Sequence, residues 1–159
     1  MKYRRLTMDE LESLEEDFVK FLASNQITAD EWVKLKEQES ERVHELIELF
    51  SDIVMQKVLT NIEYLQHRSK QVIRVFRFGK DKITMTGLQL SDTSKDLTNP
   101  VHLQLLSDPE QLSNGVKIFQ MEKEYKMSRE EEIFDMMESY GCQPAPKAMF
   151  DMLVNLRAK

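Results

Sequence analysis

The apolar residues change their spacing near residue 60. Before it, Val43, Leu46, Ile47, Phe50, Ile53, Val54 and Val58 recur every three or four positions, one face of a helix. After it, the runs NIEYLQH, KQVIRVFRF and KITMTGLQL are rich in β-branched and aromatic residues and alternate in part, as strands do. Gly79-Lys80-Asp81, between the second and third runs, reads as a hairpin turn. One period cannot be folded as the other, so the chain must carry both helices and sheet. We expect an α+β fold, with amino-terminal helices packed on a small, mostly antiparallel sheet and two short carboxy-terminal helices. The 159 residues fit a single domain, 1–159. Its helical part covers about 7–60, its strand-rich part about 61–126 and its last helices about 128–157.

The helices announce their own starts. LTMDEL (6–11) and ITADEW (27–32) are nearly the same hexapeptide. Thr7 precedes Glu10 by three positions and Thr28 precedes Glu31 likewise, the spacing of a capping box. Leu6 with Leu11, and Ile27 with Trp32, stand where a hydrophobic staple stands. Asp9 and Asp30 suit the positive end of a helix dipole. The repeat is therefore a helix start, and these acids are not read as metal ligands. One helix is expected through Leu11, Leu14, Phe18, Phe21 and Leu22, ending near Asn25. A second carries Trp32 and Leu35, and the charged stretch KLKEQESER either continues it or breaks it near Ser40. Ser128 and Glu131 form a third box, and Gly141 is a natural helix stop. CQPAP then interrupts the chain, and Pro146 suits the first position of a final helix bearing Met149, Phe150, Leu153, Val154 and Leu156.

In VIRVFRF, Val72, Arg74, Phe76 and Phe78 fall on one face and Ile73, Val75 and Arg77 on the other. SDTSKDLTN (91–99) and SDPEQLSNG (107–115) read as loops, and PVHLQLL between them as a strand through Val101, Leu103 and Leu105. GVKIFQMEKEYK reads as another strand, with Phe119, Met121, Lys123 and Tyr125 on one face and Ile118 and Gln120 on the other.

The net charge is −6. Residues 67–82 hold six basic residues against Asp81 alone, whereas 1–66 hold 8 basic and 15 acidic residues. The basic segment also contains Phe76 and Phe78, and cations interleaved with aromatics can hold phosphates and stack bases. The competing expectation pairs these arginines with carboxylates of neighbouring helices. The acidic balance disfavours nucleic acid as a general partner.

Other chemistry is sparse. The four glycines are too scattered for a phosphate loop, and HExxH and CxxC are absent. His44, His67 and His102 are far apart in sequence, and Cys142 is the lone cysteine, which suits a reducing compartment. The start MKYRRLTMDEL lacks a signal-peptide apolar run, and no stretch is long and apolar enough for a membrane span. No catalytic, cofactor-binding or metal-ligating residue is assigned, and no cofactor is expected.

The stretch MKYRRLTMDELESLEEDFVKFLASNQITADEW, with ELIELFSDIV and KVLTNIEYLQHRS after it, resembles a family of small cytoplasmic proteins from Bacteroidota-type bacteria, defined as a domain of unknown function. The likeness is specific over about residues 1–90 and looser beyond. It implies a soluble cytoplasmic protein of bacterial origin and carries no site residues across.

These readings favour a non-enzymatic interaction or regulatory protein with a protein partner, docking through Met149, Phe150, Leu153 and Leu156. The alternative is nucleic-acid contact through Arg68, Lys70, Arg74, Phe76, Arg77, Phe78, Lys80 and Lys82. A second alternative is an enzyme whose site is assembled from dispersed residues. No membrane partner is expected, and the oligomeric state is left open.

Overall fold

The computed structural model describes residues 1–108 and 115–158. The described chain divides into two compact units, Met1–Leu59 and Thr60–Lys159, and the boundary falls where the apolar spacing changes.

The first unit is helical: α1 (Met8–Ser13), α2 (Glu15–Ser24), α3 (Ala29–Gln38) and α4, which starts at Ser40 and runs on to Thr60. Both expected capping boxes form. Thr7 Oγ1 accepts from the Glu10 N–H at 3.2 Å while Glu10 returns a carboxylate to the Thr7 N–H at 2.8 Å. Thr28 and Glu31 repeat the pattern at 3.2 and 3.0 Å. The single helix expected through Leu22 is instead kinked at Leu14 (φ −108°, ψ 21°). There the Leu14 N–H is shared between the Glu10 and Leu11 carbonyls, a tightened turn, and the Ser13 hydroxyl also draws on the Glu10 carbonyl. Of the two alternatives for the charged stretch after α3, the helix breaks, at Glu39 (φ −134°, ψ 66°).

An aromatic cluster centres this unit. Phe18 meets Trp32 edge-on at 5.3 Å and Phe50 at 5.0 Å, and Phe21 meets Phe50 at 5.3 Å. The leading residues are tied to α4. Asp52 accepts from the Lys2 and Tyr3 N–H groups, and the buried Ser51 hydroxyl accepts from the Leu6 N–H while donating to the Ile47 carbonyl.

The second unit is built on an antiparallel sheet of β1 (Tyr64–Arg68), β2 (Val72–Phe78), β3 (Lys82–Leu90), β4 (Val116–Glu124) and β5 (Gln143–Pro144). The strand order is β4-β3-β2-β1-β5. The Gly79 N–H closes the β2–β3 turn on the Lys82 carbonyl at 3.0 Å. Between β3 and β4 comes α5 (Pro100–Leu103), followed by a 3-10 turn, Gln104–Ser107. The strand expected at PVHLQLL is therefore wrong over these residues. Asn99 caps the Val101 N–H and Pro100 occupies the first turn, so a helix start overrides the apparent alternation. Most of the expected loop 107–115 lies outside the described residues.

The chain ends with α6 (Arg129–Tyr140) and α7 (Lys147–Ala158). Ser128 and Glu131 form the third box, and Gly141 ends α6 at φ 68°. CQPAP does break the helical path, but Gln143 and Pro144 also pair with Gln66 and Leu65. Pro146 precedes α7, its carbonyl accepting from the Met149 N–H.

The sheet's two faces differ. On one, Tyr64, Ile73, Val75, Leu88 and Leu90 form a core with Phe150, Leu153 and Leu156 of α7, with Met149 packed against it. On the other, Leu65, Phe78, Ile83 and Met85 are buried, as are Ile133 and Met136 of α6. The whole is α+β, as expected.

Candidate functional site

The second face is open beyond the apolar part beneath α6. Strand register sets rows across it. His67 lies opposite Arg74, Arg74 opposite Gly87 and Gly87 opposite Phe119. The next row is Leu65, Phe76, Met85 and Met121. A Cβ on Gly87 would come within 2.3 Å of the Phe119 ring, so glycine lets that ring lie down across β3. The Arg74 guanidinium stacks 5.7 Å from the Phe119 centroid.

A cleft of about 370 Å³ opens between this face and the end of α6, lined by His67, Arg74, Phe76, Lys123, Met136, Tyr140 and Cys142. Its size falls in the range of small-molecule sites. The sheet supplies His67, Arg74, Lys123 and a phenylalanine, α6 supplies Met136 and Tyr140, and among the described residues no carboxylate lines it. Lys123 reaches back to Glu132 at 3.6 Å. That carboxylate is buried and accepts from the Lys126 and Met127 N–H groups, so it is occupied behind the cleft wall. Burial pushes the Cys142 thiol pKa up, which keeps it protonated at neutral pH.

A smaller cavity of about 200 Å³ shares His67 with the cleft and is otherwise lined by Gln66, Arg68, Thr98, Gly141 and Gln143. Asp96 accepts from the Thr98 hydroxyl and fixes it in place.

The candidate nucleic-acid residues are dispersed by the fold. Arg74 and Phe76 enter the cleft. Arg68 lines the smaller cavity. Arg77 and Lys82 belong to the α7 face, where Lys82 pairs with Glu122 at 3.0 Å. Lys70 and Lys80 are exposed beside turns. Phe78 is 3% exposed and is a core residue, so it is closed to stacking. The expected pairing of the arginines with helix carboxylates is not found within this unit: among its described residues Arg68, Arg74 and Arg77 form no ion pair. Of the candidate docking residues, Phe150, Leu153 and Leu156 are buried in the core and Met149 packs against it.

Sequence reading missed His67, Lys123, Tyr140 and Cys142 as cleft residues. Only Lys123 carried a usable signal, since it alternates with Phe119 and Met121 on one face of its strand. The others meet through register and through the turn after α6.

Charge divides as sharply as structure. Met1–Leu59 holds 8 basic against 14 acidic residues, a net of −6, whereas residues 60–159 hold 14 of each, a net of zero. Among the described residues no group of three or more His, Cys, Asp or Glu side chains could hold a metal, and no helix is long and apolar enough to cross a membrane.

Fold and cleft together define an α+β protein with a helical unit and an antiparallel sheet unit that carries a basic, aromatic cleft. The chain belongs to the family of unknown function DUF6495, whose model matches residues 1–158. No curated protein and no solved structure matches it.

Proposed function

We propose that this is a non-enzymatic binding protein of the bacterial cytoplasm, regulatory in role, whose working surface is the cleft between α6 and the sheet. Its ligand carries both a planar ring and negative charge, as a nucleoside monophosphate does. One observation carries the reading: His67, Arg74 and Lys123, the last also paired with Glu132, converge with Phe76 and Tyr140 on one cleft, and among the described residues no carboxylate lines it. Cations there favour phosphate, and aromatic faces favour a flat ring. The acidic balance that would repel an anion belongs to Met1–Leu59, while the cleft stands on a unit with no net charge. The cleft's thiol, Cys142, is buried and protonated, which supports holding rather than reacting. The cytoplasmic and bacterial assignment rests on the sequence resemblance and the lone cysteine. Because the apolar side of α7 serves the core, the cleft replaces that helix as the proposed contact surface.

Calorimetric titration with adenosine monophosphate at low salt tests this. Binding should weaken about tenfold in Arg74→Gln, whose lost charged hydrogen bond is worth roughly 1.5–3 kcal/mol. No binding by a folded protein at low salt would defeat the reading.

A further inference from the structure

We infer that the cleft takes a single-stranded oligonucleotide rather than a free nucleotide. This rests on the cleft reading above and deepens it. The observation is the second cavity, which shares His67 with the first. β5 pairs with β1 only at Leu65 and Gln66, so the outer edge of β1 has no paired strand at His67 and Arg68 among the described residues. The chain leaving α6 passes this edge and walls both spaces: Tyr140 and Cys142 line the first, Gly141 and Gln143 the second.

The two spaces have different chemistry. The first offers aromatic rings and cations in about 370 Å³, room for one base. The second offers a cation, Arg68, and the polar side chains of Gln66, Thr98 and Gln143 in about 200 Å³. It lies below the size of usual ring-holding pockets, and it suits a phosphate or a sugar. A ligand that presents a ring to one space and a charged, hydroxyl-bearing linkage to the next is a nucleotide chain. Lys123, Arg74 and Arg68 then follow the backbone, as cations do in single-strand grooves. A single strand suits the cleft better than a duplex, because a ring stacks on Phe76 or Tyr140 only when it is free of its own neighbours.

The test uses the full-length protein with three probes: adenosine monophosphate, the 5′-phosphorylated adenylate dinucleotide, and a longer oligoadenylate as RNA and as DNA. The dinucleotide should bind about tenfold more tightly than the monophosphate. Its affinity should also fall more steeply with salt than the monophosphate's, because it makes one more charged contact. Arg68→Gln should bring the dinucleotide down to the monophosphate's affinity with an unchanged melt. Tighter RNA than DNA would assign the second cavity to ribose hydroxyls. Equal affinity would assign it to the phosphate, and both outcomes support a single strand. Equal binding of monophosphate and dinucleotide, or an Arg68→Gln loss shared by both, overturns the inference and leaves the cleft reading standing. Failure of every probe to bind overturns both.

Discussion

The helical unit and the sheet unit solve the same problem with different means. Met1–Leu59 encloses few side chains fully: Leu6, Leu22, Leu46, Phe50 and Leu59. It adds capping boxes, which are local, and an aromatic cluster and a leading strap, which tie α2, α3 and the first residues to distant positions of α4. Residues 60–159 bury both faces of a sheet, and their contacts join segments far apart, such as Tyr64 with Phe150. The lesson is that the two units fail differently. Loss of a local signal should loosen the first more than the second, whereas loss of one central side chain should undo either. The sheet unit's large core also leaves part of one face free for a site.

The largest expected effects come from the cores. Phe50→Ala removes the ring that Phe18 and Phe21 both meet and should cost ~3–5 kcal/mol. Leu153→Ala leaves a cavity under α7, where the side chain is 0% exposed, and should cost ~2–5 kcal/mol. Urea melts, followed by tryptophan fluorescence for the helical unit and by far-ultraviolet dichroism for both, would measure each. Losses under about 1 kcal/mol would break the comparison.

Gly87→Ala comes next. A methyl group there drives into the Phe119 ring, which must lift and leave Arg74. A cost of ~1–3 kcal/mol is expected, together with weaker ligand binding at the neighbouring cleft. An unchanged melt with unchanged binding would show that Phe119 does not brace Arg74.

The caps should follow at ~1 kcal/mol each for Thr7→Ala, Thr28→Ala and Ser128→Ala, read as shifts in melting temperature. The same loss is a larger fraction of stability in the helical unit, so Thr7 and Thr28 variants should broaden its transition more than Ser128→Ala broadens the sheet unit's.

The smallest effect is electrostatic. The Arg4 guanidinium, bonded to Glu10 at 2.9 Å, and the Thr7 N–H hold the Glu10 carboxyl pKa down at about 2 from an ordinary 4.5. A depressed folded pKa stabilises the protein above the unfolded value, and this contribution disappears as pH falls from about 4.5 towards 2. The two side chains are 35% and 38% exposed, so solvent limits the contribution to under ~1 kcal/mol. Arg4→Gln should reduce that acid-side decline in a series of melts, leaving the part that the Thr7 N–H supplies, and a decline of unchanged size would assign it elsewhere.

The local features were legible in the sequence because their causes are local. Three capping boxes, the Gly141 stop and the β2–β3 turn depend on residues within a few positions of one another. The kink at Leu14 and the helix at Pro100 were lost where two local signals competed. Register was not legible: nothing in the sequence says that Gly87 faces Phe119 or that β5 pairs with β1. The cleft was therefore half visible. Arg74 and Phe76 stood out by composition, but Lys123, His67 and Tyr140 join them only through pairing across strands and the turn after α6.

The most direct test of the central claim, that the sheet unit holds the ligand and the helical unit does not, is chemical-shift mapping of the isotope-labelled full-length protein during titration with the adenylate dinucleotide at low salt. The account predicts that the perturbed amides cluster at His67, Arg68, Arg74, Phe76, Lys123 and Tyr140, with residues 7–50 silent. Perturbations centred on α1 to α4, or none at saturating ligand, would contradict it.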